Sequence, residues 1–530
     1  MNKKEDFLLG LDADGSSRDF WQEYYGFCKD LETLDVDVLF YSLTPLLKRI
    51  ENDGAFIEFL NGIERASFIS SDFGNALYLK IVNQDDPKKL RLLTKVLSGL
   101  YKIEKEETVL KIKELVYSGD DAKVIIGIQS IAELESESLK LESEFLEIIE
   151  YKFEEFLENQ ELKKIWSSIL FACRNKREVI NNADEFIRRI WNEPSIEIQM
   201  ELIFLLSYNL DINKDKEFYI EVLHKLIPLS IEYKGAYSQL SYTLGDKIKQ
   251  QPETIINFLN EWVAHDAAHA KNISLFENLI NSIIDVDVGI YAELITNWLN
   301  HDNSNFHIAV FEIMRAKHIR NIPEMRIPNK LLEEMTVFDV EYITYKILGY
   351  IHDKNISTSL IYSILEGKIN DETVVNFLRK VFVAYFIFNY YGTIEYLRNK
   401  IKNTGPKLKT MIDSIILEGE KHYTAYSELE FLKEFSPSEM RLGYVHKIQQ
   451  KKLNKLFKEV ERSDDSFLKH LKNIQLKAGE TSFSKYMGQY SKKMKLTNVS
   501  SSAELPRGEF IDPIGQKKLR LIWRNHKRQV

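Results

Sequence analysis

Two cysteines in 530 residues, Cys28 and Cys173, are too few and too far apart for a disulfide framework or a thiolate zinc site. That scarcity suits a reducing cytoplasm, which is the expected location. Glycine and proline are also sparse, at 22 and 11, and long stretches carry neither, which favours helices joined by short turns over strands joined by Gly/Pro-rich turns. The expected class is all-α. No apolar run exceeds VFVAYFIF, from Val381 to Phe388. Such a run is too short to span a bilayer and reads as a buried helix segment, so no membrane association is expected. The opening MNKKEDFLLGLDADGSS lacks the apolar stretch of a signal peptide. Missing too are G-x-x-x-x-G-K-[ST], G-x-G-x-x-G, G-x-S-x-G and C-x-x-C, the spacings that cradle phosphates, expose a nucleophilic serine or pair redox thiols. No enzyme activity, catalytic residue, cofactor or metal is therefore expected.

What is present is a core and a repeat. With 44% hydrophobic and 12% aromatic residues the chain can bury a large interior. EWVAHDAAHAKNISLFENLI, from Glu261, aligns with NWLNHDNSNFHIAVFEIMRA, from Asn297, placing Trp262 on Trp298, His265 on His301 and Asp266 on Asp302. The same grammar, an apolar helix end, a polar break on Asp or Pro and a second apolar-periodic stretch, recurs at Asp86, Asp121, Pro194, Asp339, Asp371 and Pro406. The markers step by about 36 residues or by about twice that, a period that holds two helices and two turns. Asp and Pro are what a helix start wants: an acceptor for unpaired N–H groups, or a ring that fits the first turn.

Over roughly residues 50 to 425 this pattern resembles the HEAT and armadillo helical repeats. The resemblance implies an α-solenoid of antiparallel helix pairs and a habit of binding along a curved surface. The expected organisation is an N-terminal helical cap over 1–50, a HEAT-like solenoid over 51–425 and a basic C-terminal module of mixed structure over 426–530.

Three stretches invite chemistry and are read as structure. His265-Asp266-x-x-His269 has the spacing of a metalloprotease helix with Asp in place of Glu, but its position at a helix–turn junction, repeated one period later, marks a helix cap. Neither His307 nor His318 restores a metal site. The loop from Asp12 to Glu23 has carboxylates at the first, third and twelfth calcium positions, but Ser17 stands where the turn needs glycine. In LPRGEFIDPIGQKK, Glu509, Asp512 and Lys518 lack the strands that present a metal-nuclease site, so Pro506-Arg507-Gly508 and Asp512-Pro513 are read as turns around a Phe510-Ile511 anchor.

Charge is unevenly distributed. Residues 441–530 carry 21 Lys and Arg against 8 Asp and Glu, leaving 50 against 72 in the rest of the chain. The segment Glu133 to Glu161 alone holds eleven Glu against Lys140 and Lys152, an amphipathic helix with an acidic outer face. In the tail, Phe483, Tyr486, Tyr490, Phe510 and Trp523 are interleaved with Lys485, Lys492, Lys493, Lys495, Arg507, Lys517, Lys518, Arg520, Arg524, Lys527 and Arg528. These cations are the candidate contacts to nucleic acid or to an acidic partner, and the rings either stack on bases or anchor the tail as a terminal cap.

The expected function is a scaffold or adaptor that binds another protein subunit. The alternative is a nucleic-acid-binding component of a bacterial DNA-processing or phage-defence system, its basic module on phosphates. The 52 Lys against 19 Arg suit an AT-rich microbial genome and so a prokaryotic source.

Overall fold

The turn residues picked out by the repeat lie at helix starts. Asp86, Asp266 and Asp371 are N-caps whose carboxylates accept backbone N–H groups of Lys88, His269 and Thr373. Asp121 follows the cap Asp120, Pro406 opens its helix, and Asp339 closes a capping box with Thr336. Asp302 lies just ahead of a helix that begins at Ser304. Pro194 lies outside the described residues.

The computed structural model describes residues 18–50, 55–84, 86–134, 163–177, 183–192, 195–315, 324–390, 392–402, 404–428 and 507–528, with shorter pieces within 7–8, 147–152, 440–451 and 481–495 and at 322. The regular structure among these residues is helical apart from four two-residue strands. Thr481–Ser482 pairs antiparallel with Met494–Lys495, and Lys485–Tyr486 with Gln489–Tyr490. The chain divides into two compact units, Met1–Asp287 and Val288–Val530. Among the described residues no helix is long and apolar enough to cross a membrane.

In the first unit, α1 (Ala55–Ile69), α2 (Leu92–Tyr101), α3 (Asp121–Glu133), α4 (Lys163–Asn175), α5 (Ile196–Phe204) and α6 (Lys234–Lys247) each pack on the next. Then come α7 (Pro252–His265), the single-turn α8 (Ala267–Lys271) and α9 (Glu277–Val286), which returns to pack on α6. Tyr237 of α6, Trp262 of α7 and Phe276 of the turn before α9 are fully buried, their rings edge to face at 4.8 to 5.6 Å. Trp262 Nε1 donates to the Tyr237 hydroxyl at 3.2 Å, which donates to Leu229 O at 2.6 Å, so both polar tips are satisfied.

The second unit begins with α10 (Val288–Asn300) and α11 (Ser304–Arg315), which pack on α12 (Val337–Tyr350). Next come α13 (Lys354–Gly367), α14 (Glu372–Val381) and the π-helical stretch Phe382–Ile387. That stretch holds most of the long apolar run, and Phe382, Phe386 and Ile387 are buried as the sequence led us to expect. The body closes with α15 (Pro406–Glu428), packed on the π-helical stretch.

Several polar bonds join elements separated by about one repeat length in the sequence. Ser98 donates to Glu64, Gln129 to Ser168, Arg174 to Asn209 and Leu279 N to Ser241, at separations of 34 to 39 residues. In the second unit Met325 N donates to Ser359, Ile327 N to Ser363 and Arg379 to Glu418, over 34 to 39 residues again.

The tail corrects one expectation. Instead of two turns, residues after Pro506 form α16 (Arg507–Ile511) and α17 (Pro513–Asn525). Asp512 is the cap of α17, accepting Gly515 N at 2.9 Å, and Pro513 occupies its first turn. The residues that favour turns also favour helix starts, and here the helix follows. Of the expected Phe510-Ile511 anchor, Ile511 is exposed and the Phe510 side chain lies outside the described residues, while Trp523 is buried.

Candidate functional site

The tail helix is seated on α12. Gly349 makes the approach possible: a Cβ there would stand 3.0 Å from Arg524 Cγ and 3.2 Å from Arg524 N. Packing extends along the helix through Trp523, edge-on to Tyr385 at 5.0 Å, and through His526, edge-on to Tyr345 at 4.6 Å. A Gly349→Val change forces these backbones apart at a cost of about 1–3 kcal/mol. The expected result is faster amide exchange over 513–525, with exchange in the first unit unaltered.

Lys346 caps the far end. Although only 4% exposed, it donates its ammonium to Arg524 O at 2.6 Å and His526 O at 2.9 Å, two carbonyls without helical partners. A cation at a helix C-terminus is also favoured by the helix dipole. Burial lowers the pKa of Lys346, while Asp302 raises it.

The four candidate arginines are engaged within the second unit, Arg524 and Arg528 on α12 itself. Arg507 lies over the Tyr423 ring at 4.7 Å, beside Gly508, whose N–H donates to Asn389 Oδ1 at 2.8 Å. Arg520 pairs with Glu509 at 2.7 Å. Arg524 donates Nε to Gly349 O at 2.7 Å, its guanidinium 4.7 Å from the Phe311 ring and 4.9 Å from Tyr350. Arg528 lies 4.6 Å over Tyr342, pairs with Asp339, donates to Asn300 Oδ1 at 3.0 Å and reaches Asp302 at 3.4 Å. Burial raises the pKa of Asp339, but hydrogen bonds from Thr336 and the charge of Arg528 outweigh it and hold the carboxyl below its usual value.

The other candidates point elsewhere or lie outside the described residues. Lys517, Lys518 and Lys527 are exposed. Lys485 and Lys495 fall within the two-residue strands, and their side chains are outside the description, as are Lys492 and Lys493 altogether. Of the acidic stretch from Glu133 to Glu161, most lies outside the described residues.

Sequence reasoning missed Lys346, Asn389 and Gly349. Lys346 had a signal: with Ile343, Ile347 and Tyr350 it occupies one helical stripe, a lysine where an apolar residue belongs. Gly349 had a weaker one, an isolated glycine inside a helical pattern.

The histidine turn is assembled as a cap. Asp266 Oδ1 accepts His269 N at 2.7 Å and lies 2.8 Å from His269 Nδ1. His307, in the second unit, is a buried core residue whose pKa burial, with help from Lys346, pushes down to about 4, so it is neutral at pH 7.

No protein-family model matches the sequence, and no curated protein matches it. A solved structure described as that of an engineered protein aligns at 13% identity over 79% of this chain and 99% of its own, with a TM-score of 0.21. A likeness that loose carries no argument about fold or function.

Proposed function

We propose that the chain is a macromolecule-binding scaffold, a HEAT-like α-solenoid whose C-terminal helix is a recognition element seated on its own body. The solenoid reading is supported by helices that each pack on the next and by polar bonds that recur at 34 to 39 residues. The observation that carries the binding role is the outward face of α17. Ile514 is 78% exposed, Leu521 55% and Ile522 56%, with exposed Lys517 and Lys518 between them.

Positions 514, 517, 518 and 521 share one helical stripe, so apolar and cationic groups face solvent together. Such a stripe suits an acidic protein surface that brings its own apolar side chains. In this reading the chain is no enzyme and works in a bacterial cytoplasm as one subunit of a larger complex.

A second reading rests on the exposed cations themselves, Lys517, Lys518 and Lys527, which are placed to meet phosphates. One set of variants separates the two. Lys517→Glu with Lys518→Glu reverses charge on an exposed face, and Leu521→Asp removes the apolar centre of the stripe. If the scaffold reading holds, each set lowers cross-linked recovery of one defined acidic partner by tenfold or more with the melting temperature unaltered. In the nucleic-acid reading the lysine pair weakens binding of labelled DNA or RNA and flattens its salt dependence, while Leu521→Asp leaves both nearly unchanged.

A further inference from the structure

The cap between α7 and α8 gathers more nitrogen and oxygen donors than a cap needs. His265 ends α7 and is exposed, Asp266 is the N-cap, and His269 is 95% buried. Their ligand atoms all lie within 4.8 Å of one another, and the two imidazole rings stand 4.9 Å apart.

The orientation of His269 is fixed from two sides. Its ring sits edge-on to Trp262 at 4.7 Å, and Nε2 lies 3.1 Å from Ile227 O. A carbonyl only accepts, so Nε2 carries the hydrogen of that bond. This is how metal-binding histidines are commonly held, with the second ring nitrogen donating to a backbone carbonyl and the first left for the ion. Nδ1 then faces Asp266 Oδ1 at 2.8 Å. A ring nitrogen and a carboxylate oxygen that close need a cation between or beside them, either a proton or a metal ion.

The following repeat supplies an internal control. At the corresponding positions stand His301, Asp302 and Asn305, so the third donor is lost. His301 Nδ1 there accepts Asn303 N at 2.9 Å, and Asp302 faces Arg528. One copy of the phrase keeps its donors together, while the other holds the tail.

We propose that His265, Asp266 and His269 bind one divalent metal ion of the zinc class, with the outward side of the site left to water. Two imidazoles and a carboxylate suit zinc and its borderline-soft neighbours, whereas calcium and magnesium prefer all-oxygen shells. The short α8 provides the rigid turn, and the Asp266 cap and the Ile227 carbonyl set the donors before the ion arrives.

The test uses the full chain, stripped with EDTA and desalted, then titrated with ZnCl2 by calorimetry and by equilibrium dialysis with metal analysis. The expected result is one saturable site per chain, weakened at least tenfold by His265→Ala and by Asp266→Asn and unchanged by His301→Ala. His265 is exposed and Asn caps a helix as well as Asp does, so both variants are expected to melt like the parent without metal. Failure of the parent to bind zinc saturably overturns the proposal and leaves a shared proton in the turn. Equal affinity in His265→Ala overturns it as well, because the ion would then sit elsewhere. Calcium chloride or magnesium chloride binding as tightly as zinc at this turn overturns the assigned metal class.

Discussion

Trp523→Ala is expected to unseat the C-terminal helix. The indole is 91% buried and edge-on to Tyr385, so its removal opens a cavity under the last turn of α17. The cost is about 3 kcal/mol or more, roughly a hundredfold in the equilibrium between seated and open tail. Amide exchange over 513–525 is expected to accelerate by about that factor, and protease cleavage near Lys517 and Lys518 to appear while the first unit stays intact. Ile514→Ala, at a position exposed to water, is expected to stay within about 0.5 kcal/mol of the parent. Equal protection in the Trp523 variant and the parent would show that the arginine contacts alone hold the helix.

Trp262→Ala carries the largest expected effect on stability. The ring is fully buried against Tyr237, Phe276 and His269, and its N–H donates to the Tyr237 hydroxyl. The loss is about 3–5 kcal/mol, a fall of roughly 10 °C in the melting transition of the first unit at its size. Differential scanning calorimetry reads this directly. Trp262→Phe retains most of the buried ring and is expected to lose less than half as much.

How much was legible depends on whether a signal was local. Caps such as Asp86, Asp266 and Asp371 stand out because a helix start needs an acceptor within three residues of the break, and the chain supplies one at nearly fixed intervals. The helix at Pro513 was hidden because Asp-Pro serves turns and helix starts alike. The seat of the tail was hidden for another reason. Arg524 and Gly349, or Arg528 and Asp339, are partners more than 170 residues apart, and no periodicity links them. Sequence showed that cations and rings are interleaved in the tail, but which cations turn inward is decided by distant rings and acceptors, Tyr423, Phe311, Gly349, Tyr342 and Asp339 among them. The histidine turn lies between these cases: its spacing was visible, but the Ile227 carbonyl that orients His269 lies 42 residues away.

The capping of the tail by Lys346 has a consequence for synthesis. Lys346 and the His526 carbonyl it meets are 180 residues apart. At ordinary rates of chain growth the ribosome needs roughly 10–40 s to cover that distance. Throughout that interval α12 has no helix to cover Tyr345, Tyr350 and Gly349, and the ammonium of Lys346 has no carbonyls to meet. During synthesis, therefore, this face of α12 stays open to other contacts until residues 513–528 emerge to cover it.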